Sequence, residues 1–294
     1  MSKATAQPPP KPCTKFTASF PATTQPTMPS QPSNTQAQRL RALHTPGKPL
    51  VLTNIWDAIS ASAVAALPGT KALATASAAI AAASGLSDDD LTLDVNLRAV
   101  ESIARVAAAH DLPLTVDLQD GFGDELEEGV RRVIELGAVG INLEDYGREI
   151  GGLYGVEEQC RRIRCAVVVA RDSGVPDFVI NARTDALFAG SGIDDVIKRG
   201  QAYLDAGASN VFVWGGPSRK GWGRDEVGKV CRAFDGRLNV ILDMTSGNGL
   251  AIKELEDIGV ARISVGPQLM RRTAAMLADE AQKILDGKSS AAES

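Results

Sequence analysis

The feature that most constrains the fold is a regular alternation of short apolar runs with longer helical patterns. The runs have the length and composition of buried β-strands and lie at 50–54, 72–75, 114–118, 140–143, 178–182, 210–213, 239–242 and 263–265. The helical patterns between them include 97–110, 125–136, 156–172, 194–206, 225–234 and 251–258. Gly137, Gly207 and Gly259 end three of these patterns just before the next strand, as a glycine at a helix C-cap commonly does.

Eight strands that alternate with helices over about 250 residues are typical of an α/β fold of the (β/α)8 TIM barrel type. The alternative is an open, doubly wound sheet. That fold often binds a dinucleotide, but no G-x-G-x-x-G motif follows the first strand. We therefore predict one barrel domain over residues 38–288.

The two ends of the chain differ from this pattern. Residues 1–37 are rich in Pro, Ser, Thr and Gln and contain no acidic residue, so we predict a disordered tail that buries too little surface to offset its ordering entropy. Residues 289–294 are expected to be a flexible C-terminus. An acid-free N-terminus is also a property of mitochondrial import signals, but this one is poor in arginine and rich in proline. We predict a cytoplasmic protein and leave import open.

Composition and charge exclude several classes of function. The net charge is −5 and no basic stripe is present, which argues against nucleic acid as the main partner. The longest apolar stretch, 72–83, is too short to cross a membrane. Four cysteines without metal-ligand spacing and two histidines make a zinc site improbable. We expect a small molecule as the partner.

Polar groups collect after the third and fourth predicted strands. Asp117, Gln119 and Asp120 follow the third, and Glu144 and Asp145 follow the fourth. Because ligands bind at the carboxyl ends of parallel strands, these groups should converge on one polar mouth. Crowded carboxylates repel one another unless a cation joins them, and Mg²⁺, with Mn²⁺ as a substitute, prefers oxygen ligands. The alternative is that these acids are helix N-caps or belong to solvated loops.

Arg183 ends the fifth predicted strand, where a guanidinium is costly without an acidic partner. It either forms a structural ion pair with Asp185 or Glu144, or it grips a substrate carboxylate or phosphonate with two hydrogen bonds.

The second and first predicted strands contribute candidates for substrate binding. Ala76 and Ser77 are small enough for backbone N–H groups to approach an anion closely, although small residues also allow tight helix packing. Trp56 follows the first strand at the same end of the barrel. A cation opposite an arginine and such amides suits an oxyacid whose reaction passes through an enolate.

Five motifs now resemble those of one enzyme family. They lie at 54–61, 116–123, 142–145, 181–186 and 259–267, and together they are similar to the isocitrate lyase and phosphoenolpyruvate mutase superfamily over residues 39–287. The resemblance implies a Mg²⁺-dependent barrel that acts on α-oxo acids. It also implies a homo-oligomer, a tetramer or a dimer, whose last helix is swapped between subunits.

The resemblance also implies roles for individual residues. Asp117 corresponds to the direct metal ligand, and Asp88 and Glu144 correspond to carboxylates that bind the metal through water. Arg183 and the amides of Ala76 and Ser77 correspond to substrate-binding groups.

Two departures from the family pattern stand out. The third strand of the family usually ends in two acids spaced Asp-x-Asp or Asp-x-Glu, and Gln119 replaces the second, so this predicted metal site carries one negative charge less. The loop 145–155 has neither the cysteine motif of the lyases nor the Lys and Asn-Ser pair of the mutases. Its candidates for chemistry are Arg148, Glu149 and Tyr154, and we predict Glu149 and Tyr154 as catalytic beside Arg183. The alternative is a loop that only links elements.

We predict a Mg²⁺-dependent lyase that cleaves a C–C bond of a small α-oxo or 2-hydroxy acid through an enolate. The alternatives are mutase-like or phosphonopyruvate hydrolase-like chemistry at a P–C bond, and a barrel that binds an oxyacid without turnover.

Overall fold

The computed structural model describes residues 34–216, 222–244 and 249–287. The strands are β1 (Leu50–Leu52), β2 (Leu73–Ala74), β3 (Leu114–Asp117), β4 (Gly140–Glu144), β5 (Tyr146–Gly147), β6 (Gly152–Leu153), β7 (Val179–Thr184), β8 (Asn210–Val213), β9 (Leu238–Ile241) and β10 (Arg262–Ser264). The helices are α1 (Asn34–Leu43), α2 (Ala58–Ala65), α3 (Ser77–Ala83), α4 (Leu93–Ala109), α5 (Leu126–Glu135), α6 (Val156–Asp172), α7 (Ile193–Asp205), α8 (Arg224–Ala233), α9 (Ile252–Ile258) and α10 (Gln268–Leu285).

Eight parallel strands form the central sheet in the order β1-β10-β9-β8-β7-β4-β3-β2. The residues after β1 close it into a barrel, because Ile55 pairs with Thr75. The Ile55 amide donates to the Ala74 carbonyl at 2.9 Å, and the Ala76 amide donates to the Ile55 carbonyl at 3.1 Å. The predicted (β/α)8 barrel is confirmed, and each of the eight predicted strand regions overlaps one barrel strand.

Helix α1 lies against the barrel and begins earlier than the domain boundary expected at Gln38. Ala37 and Leu40 on its inner face are fully buried. Its first residue is bonded to the barrel, since Asn34 Nδ2 donates to Asp177 Oδ2 at 2.8 Å and Asn34 Oδ1 accepts from the Asp177 amide at 2.9 Å. These contacts fix the start of α1 on the barrel. The rest of the predicted tail lies outside the described residues, as does the C-terminus beyond residue 287.

The barrel interior contains a polar layer, although such interiors are dominated by branched apolar residues. Asn142, Asn181 and Asn239 are buried on β4, β7 and β9. Asn181 Nδ2 donates to Asn142 Oδ1 at 2.8 Å and to Asn239 Oδ1 at 2.9 Å. Arg262, 1% exposed, donates from Nη2 to Asn142 Oδ1 at 3.1 Å. Asn142 connects this layer to the carboxyl end of β3, because its Nδ2 donates to Asp117 Oδ1 at 3.3 Å.

Helix α10 follows the last strand and buries none of its residues in the chain. It exposes a set of large apolar side chains, Met276, Leu277, Ile284 and Leu285, each more than two-thirds exposed. Among the described helices, none combines the length and the apolar character required to cross a bilayer.

Candidate active site

A cavity of about 470 Å³ opens at the carboxyl ends of the barrel strands. Its polar wall includes Asp88, Asp117, Ser77 and Asn142, and its apolar wall includes Phe212, Trp214 and Ile241. Arg183 and Ala76 also line it, and Arg271 and Gln268 of α10 lie at its edge. Ser77, Asp117 and Arg183, which the sequence placed after the second, third and fifth strands, therefore share one space.

Asp117 is held by hydrogen bonds to both carboxylate oxygens. Oδ2 accepts from the Ser77 amide at 3.0 Å and from Ser77 Oγ at 2.9 Å, and Oδ1 accepts from Asn142 Nδ2 at 3.3 Å. The Asp117 amide donates to Thr75 Oγ1 at 2.8 Å. Only 8% of Asp117 is exposed. The carboxylate is therefore fixed at the cavity wall by three hydrogen-bond donors, the Ser77 amide, Ser77 Oγ and Asn142 Nδ2.

Ala76 and Ser77 line the cavity as expected, but their amides are already bonded within the protein. The Ala76 amide donates to Ile55, and the Ser77 amide donates to Asp117. Ser77 therefore orients the Asp117 carboxylate, and the pair does not present an open amide cradle. Trp56 lies apart from the main cavity, in a separate depression beside Ile80.

Gln119 faces Asp88 across the site. Its Nε2 donates to the Asp88 carbonyl at 3.0 Å and to Asp88 Oδ1 at 2.8 Å, while its Oε1 is buried without a hydrogen-bond partner. Burial, and then the charge of Asp117, raise the pKa of Asp88. The amide thus donates to the carboxylate that the family resemblance assigns to the metal shell.

Arg183 forms both of the ion pairs that the sequence suggested. Nη1 lies 2.7 Å from Glu144 Oε1, and Nε lies 2.8 Å from Asp185 Oδ1. The guanidinium carbon also lies 4.5 Å from the centre of the Trp214 ring. Burial raises the pKa of Glu144 well above its usual range, and it raises that of Asp185 to about 6, in both cases against the lowering effect of Arg183. These contacts hold the guanidinium rigidly at the cavity wall.

Asp145 and Asp120, which were expected at the polar mouth, point into the barrel wall. Asp145 is fully buried and accepts from Tyr203, Thr184 and the Asp185 amide. Asp120, 1% exposed, accepts from the amides of Phe122 at 3.1 Å and Arg148 at 3.3 Å. Full hydrogen bonding makes both carboxylates structural anchors, which strand position alone does not reveal.

The loop 145–155 is a short hairpin formed by β5 and β6. Tyr154 donates its hydroxyl to Asp120 Oδ2 at 3.4 Å, and its ring lies under the guanidinium of Arg162 at 4.6 Å. Glu149 lines a shallow groove beside Asp89 and Gly123. Neither Glu149 nor Tyr154 lines the main cavity, so the structure does not bring these two predicted catalytic residues to Asp117 and Arg183.

Arg262 is a site residue that the sequence analysis did not assign. Through Asn142 it is linked to Asp117, because Asn142 accepts from Arg262 and donates to Asp117. Its Nε and Nη1 are buried and have no hydrogen-bond partner in the described structure. Burial lowers the pKa of Arg262 to about 9. The sequence feature that could have revealed this residue is an arginine within the apolar run 260–265.

The donor set is compatible with a hydrated divalent cation. Among the described residues, no three His, Cys, Asp or Glu side chains converge closely enough to form a metal centre by themselves. Mg²⁺ does not require such a cluster, since it commonly keeps several waters and takes one or two carboxylates. Asp88 and Asp117 line one cavity, and a cation would relieve their repulsion. The unpartnered Gln119 Oε1 is a further oxygen that a hydrated cation would satisfy.

Comparison with known proteins gives consistent matches. The family model described as phosphoenolpyruvate phosphomutase matches residues 40–285. An uncharacterized protein of Mycobacterium tuberculosis is 31% identical over 227 residues, 76% of this chain and 80% of that protein. The 2-methylisocitrate lyase of Escherichia coli is 35% identical over 191 residues, 58% of this chain and 62% of that protein. The structure of a phosphoenolpyruvate phosphomutase from Streptomyces platensis has a TM-score of 0.74 at 26% identity, covering 87% of this chain and 90% of that one.

Proposed function

The chain belongs to the phosphoenolpyruvate phosphomutase family, and from that membership we propose that it is a Mg²⁺-dependent lyase that cleaves a C–C bond of a small α-oxo or 2-hydroxy acid. One observation carries this proposal. Asp117, Asp88 and Arg183 line a single cavity at the carboxyl ends of the barrel, and Glu144 is bonded to Arg183 within the same wall. A cation site opposite a fixed guanidinium can bind an oxyacid at both its carboxylate and its α-oxygen.

In this proposal each residue has a defined task. Asp117 is the direct metal ligand. Asp88 and Glu144 bind the metal through water and partly neutralise its positive charge. Mg²⁺, when bound, supplies positive charge where negative charge develops on the α-oxygen. Arg183 orients the substrate carboxylate: its Nε and Nη1 are bonded to acids, and within the described part of the chain no acceptor is bonded to Nη2.

The cavity favours a 2-oxo acid with a second carboxylate over a 2-hydroxy acid. Its described lining contains no Cys, His, Lys or Tyr, and two of its three carboxylates, Asp88 and Asp117, are the acids proposed to hold the metal. Cleavage of a 2-hydroxy acid begins with removal of the hydroxyl proton and needs a positioned base. Loss of CO₂ from a 2-oxo acid that carries a 3-carboxylate needs no such base, because the electrons of the broken C–C bond flow into the oxo group. The resulting enolate can take a proton from water.

Glu149 and Tyr154 stay predicted catalytic residues under this proposal. To act they would have to reach the cavity from the hairpin, whose present contacts are to Asp120 and to the groove beside Gly123. If turnover is found, Glu149→Gln and Tyr154→Phe measure their roles: a loss of rate supports an acid–base task, and wild-type rates exclude it.

Incubation of the purified protein with Mg²⁺ and separate candidate acids tests the proposal. The panel consists of oxaloacetate, 2-methylisocitrate, phosphonopyruvate and phosphoenolpyruvate, with products followed by ¹³C and ³¹P NMR. We expect Mg²⁺-dependent release of CO₂ and pyruvate from oxaloacetate, lost with EDTA and in Asp117→Asn but kept in Asp94→Asn, an exposed control. A phosphorus-containing product would instead support the P–C alternative. Absence of turnover across a panel that nevertheless raises the melting temperature would support a binding barrel.

We also propose that the enzyme is a homo-oligomer held together by α10. The helix presents Met276, Leu277, Ile284 and Leu285 to solvent without burying any of its own residues in the chain. An 18-residue helix with such a face is stable in water only marginally when isolated, whereas burial of these side chains would stabilise it. A second copy of the chain is the partner that the family resemblance implies.

A further inference from the structure

The segment that carries Asp88 is held by the two regions in which this chain departs from its family. Residues 87–92 are the second part of the connection from α3 to α4 and contain three consecutive aspartates, Asp88 to Asp90. Asp88 lines the main cavity, whereas Asp89 and Asp90 line the shallow groove outside it. These three adjacent carboxylates repel one another, and Asp88 also shares the cavity with Asp117, so the charges favour a segment that swings out into water. Its position therefore requires an explanation.

Gln119 supplies the first restraint. Its Nε2 donates both to the backbone carbonyl and to the carboxylate of Asp88, at 3.0 and 2.8 Å. A carboxylate at this position, as the family pattern has it, could accept hydrogen bonds but could not donate them. Gln119 is 3% exposed and adopts a φ of +50°, a backbone conformation that a side chain with Cβ adopts at some cost. The turn thus aims a buried amide directly at the segment.

Arg148 of the hairpin supplies the second restraint. Its Nη1 donates to the backbone carbonyls of Asp89 at 3.1 Å and Leu91 at 2.9 Å. The guanidinium is fixed from behind, since Nε lies 3.6 Å from Asp120 Oδ1 and the group stacks over Phe122 at 5.0 Å. The hairpin, which stands where the family has its catalytic loop, therefore holds the same segment as Gln119. Gln119 bonds to Asp88 near the start of the segment, and Arg148 bonds to Asp89 and Leu91 farther along it.

We infer that Gln119 and Arg148 are positioning residues that hold residues 87–92 at the cavity, so that Asp88 is in place before metal or substrate binds. The inference rests on the proposed function, because it assigns Asp88 to the metal site. The two departures then act together: Gln119 supplies a donor where the family pattern has a carboxylate, and Arg148 of the hairpin bonds to the backbone of the same segment. Asp88 is therefore already positioned at the cavity in the metal-free protein.

Two variants of the full-length protein test this inference without reference to turnover. Arg148→Ala removes the hydrogen bonds from Arg148 to the Asp89 and Leu91 carbonyls. Gln119→Glu keeps the side-chain shape but removes the Nε2 group that donates to Asp88. Arg131→Ala is the matched control, since Arg131 is a partly exposed arginine paired with Glu128 on α5. Hydrogen exchange of the amides in 87–92 is measured by mass spectrometry in metal-free protein, and Mn²⁺ affinity is measured by electron paramagnetic resonance.

We expect exchange in 87–92 to accelerate by about tenfold or more in both variants and to match the wild type in the control. Mn²⁺ affinity should fall by about tenfold in Arg148→Ala, as is typical when a supporting contact to a metal site is lost. Gln119→Glu separates two explanations. If residue 119 acts only through charge, the added carboxylate raises the Mn²⁺ affinity and leaves hydrogen exchange in 87–92 unchanged. If it acts by donating hydrogen bonds to Asp88, hydrogen exchange in 87–92 accelerates.

Wild-type exchange rates in both variants would overturn the inference even if the wild-type protein bound Mn²⁺ and turned over an acid. Faster exchange with unchanged Mn²⁺ affinity in Arg148→Ala would also overturn it, because the segment would then be irrelevant to the metal. Failure of the wild-type protein to take up Mn²⁺ would overturn the proposed function first and the inference with it.

Discussion

Replacement of Asp145 by asparagine tests whether this buried acid anchors the site. Asp145 Oδ1 accepts from the Asp185 amide at 2.8 Å. Its Oδ2 accepts from Tyr203 at 2.6 Å, Thr184 Oγ1 at 2.8 Å and Arg199 Nη1 at 3.3 Å. Asparagine keeps the shape, but it removes the charge opposite Arg199 and turns one acceptor into a donor. At least one of these donors then loses its acceptor.

The structure sets the size of the effect. The side chains of Asp145 and Arg199 are 0% and 11% exposed, and removal of one partner from a buried pair costs about 3–5 kcal/mol. Arg199 keeps its ion pair with Asp195, at 3.0 Å, in the variant. The loss of stability should therefore lie at the lower end of this range, about 3 kcal/mol. For a domain of this size that corresponds to a fall of about 6–12 °C in melting temperature.

Thermal unfolding followed by circular dichroism at neutral pH measures the difference. The control is Asp94→Asn, because Asp94 pairs with Arg98 at 2.7 Å with both side chains more than two-thirds exposed. Such a pair contributes at most about 1 kcal/mol, so the control should melt close to the wild type. Equal melting temperatures for Asp145→Asn and Asp94→Asn would refute the assignment of Asp145 as an anchor.

Three further predictions follow from other parts of the molecule. Arg262→Met removes a buried, incompletely bonded guanidinium, so the melting temperature should not fall. Mn²⁺ affinity should nevertheless drop by about tenfold as Asn142 loses its orientation, and a large loss of stability with unchanged affinity would contradict this. Burial, and then the charge of Arg262, lower the pKa of His44 from 6.5 to about 3, so the fold holds His44 neutral. Its contribution to stability is complete above pH 6.5 and declines as the pH falls toward 3. The wild type should therefore lose about 1 kcal/mol more than His44→Gln between neutral pH and about pH 5.5, measured by urea titration; equal losses would contradict this. Leu277→Glu should shift the molecular mass in light scattering toward the monomer, whereas Glu280→Gln should not; an unchanged mass in Leu277→Glu would exclude α10 as the interface.

The barrel could be predicted from sequence because each of its strands is a short apolar run, and most of these runs are followed by a helical pattern. The short helices α2 and α3 were not predicted. Both are rich in alanine, and a run such as Ser77–Ala83 has no polar face to create a helical period. Helix α1 was missed for a different reason: the contact of Asn34 with Asp177 depends on tertiary structure that a polar, proline-rich sequence does not indicate.

The site was predictable only at the level of strand ends. Strand position brings Asp117 and Arg183 to one cavity, but it does not determine whether a neighbouring acid faces the cavity or the wall. Asp145 turns inward because Tyr203 and Arg199, far along the chain on α7, approach it from behind. Long-range partners of this kind leave no local signal in the sequence.

Binding of Mn²⁺ in the presence of oxalate tests the central claim most directly, because oxalate presents the two oxygens of an α-oxo acid without reacting. The free Mn²⁺ signal in electron paramagnetic resonance gives the affinity for the wild type, Asp117→Asn and Asp94→Asn. The account predicts one site per chain in the wild type and the control, tightened by oxalate, and an affinity at least about 100-fold weaker in Asp117→Asn. Equal Mn²⁺ binding by Asp117→Asn and wild type, or no effect of oxalate on either, would contradict it.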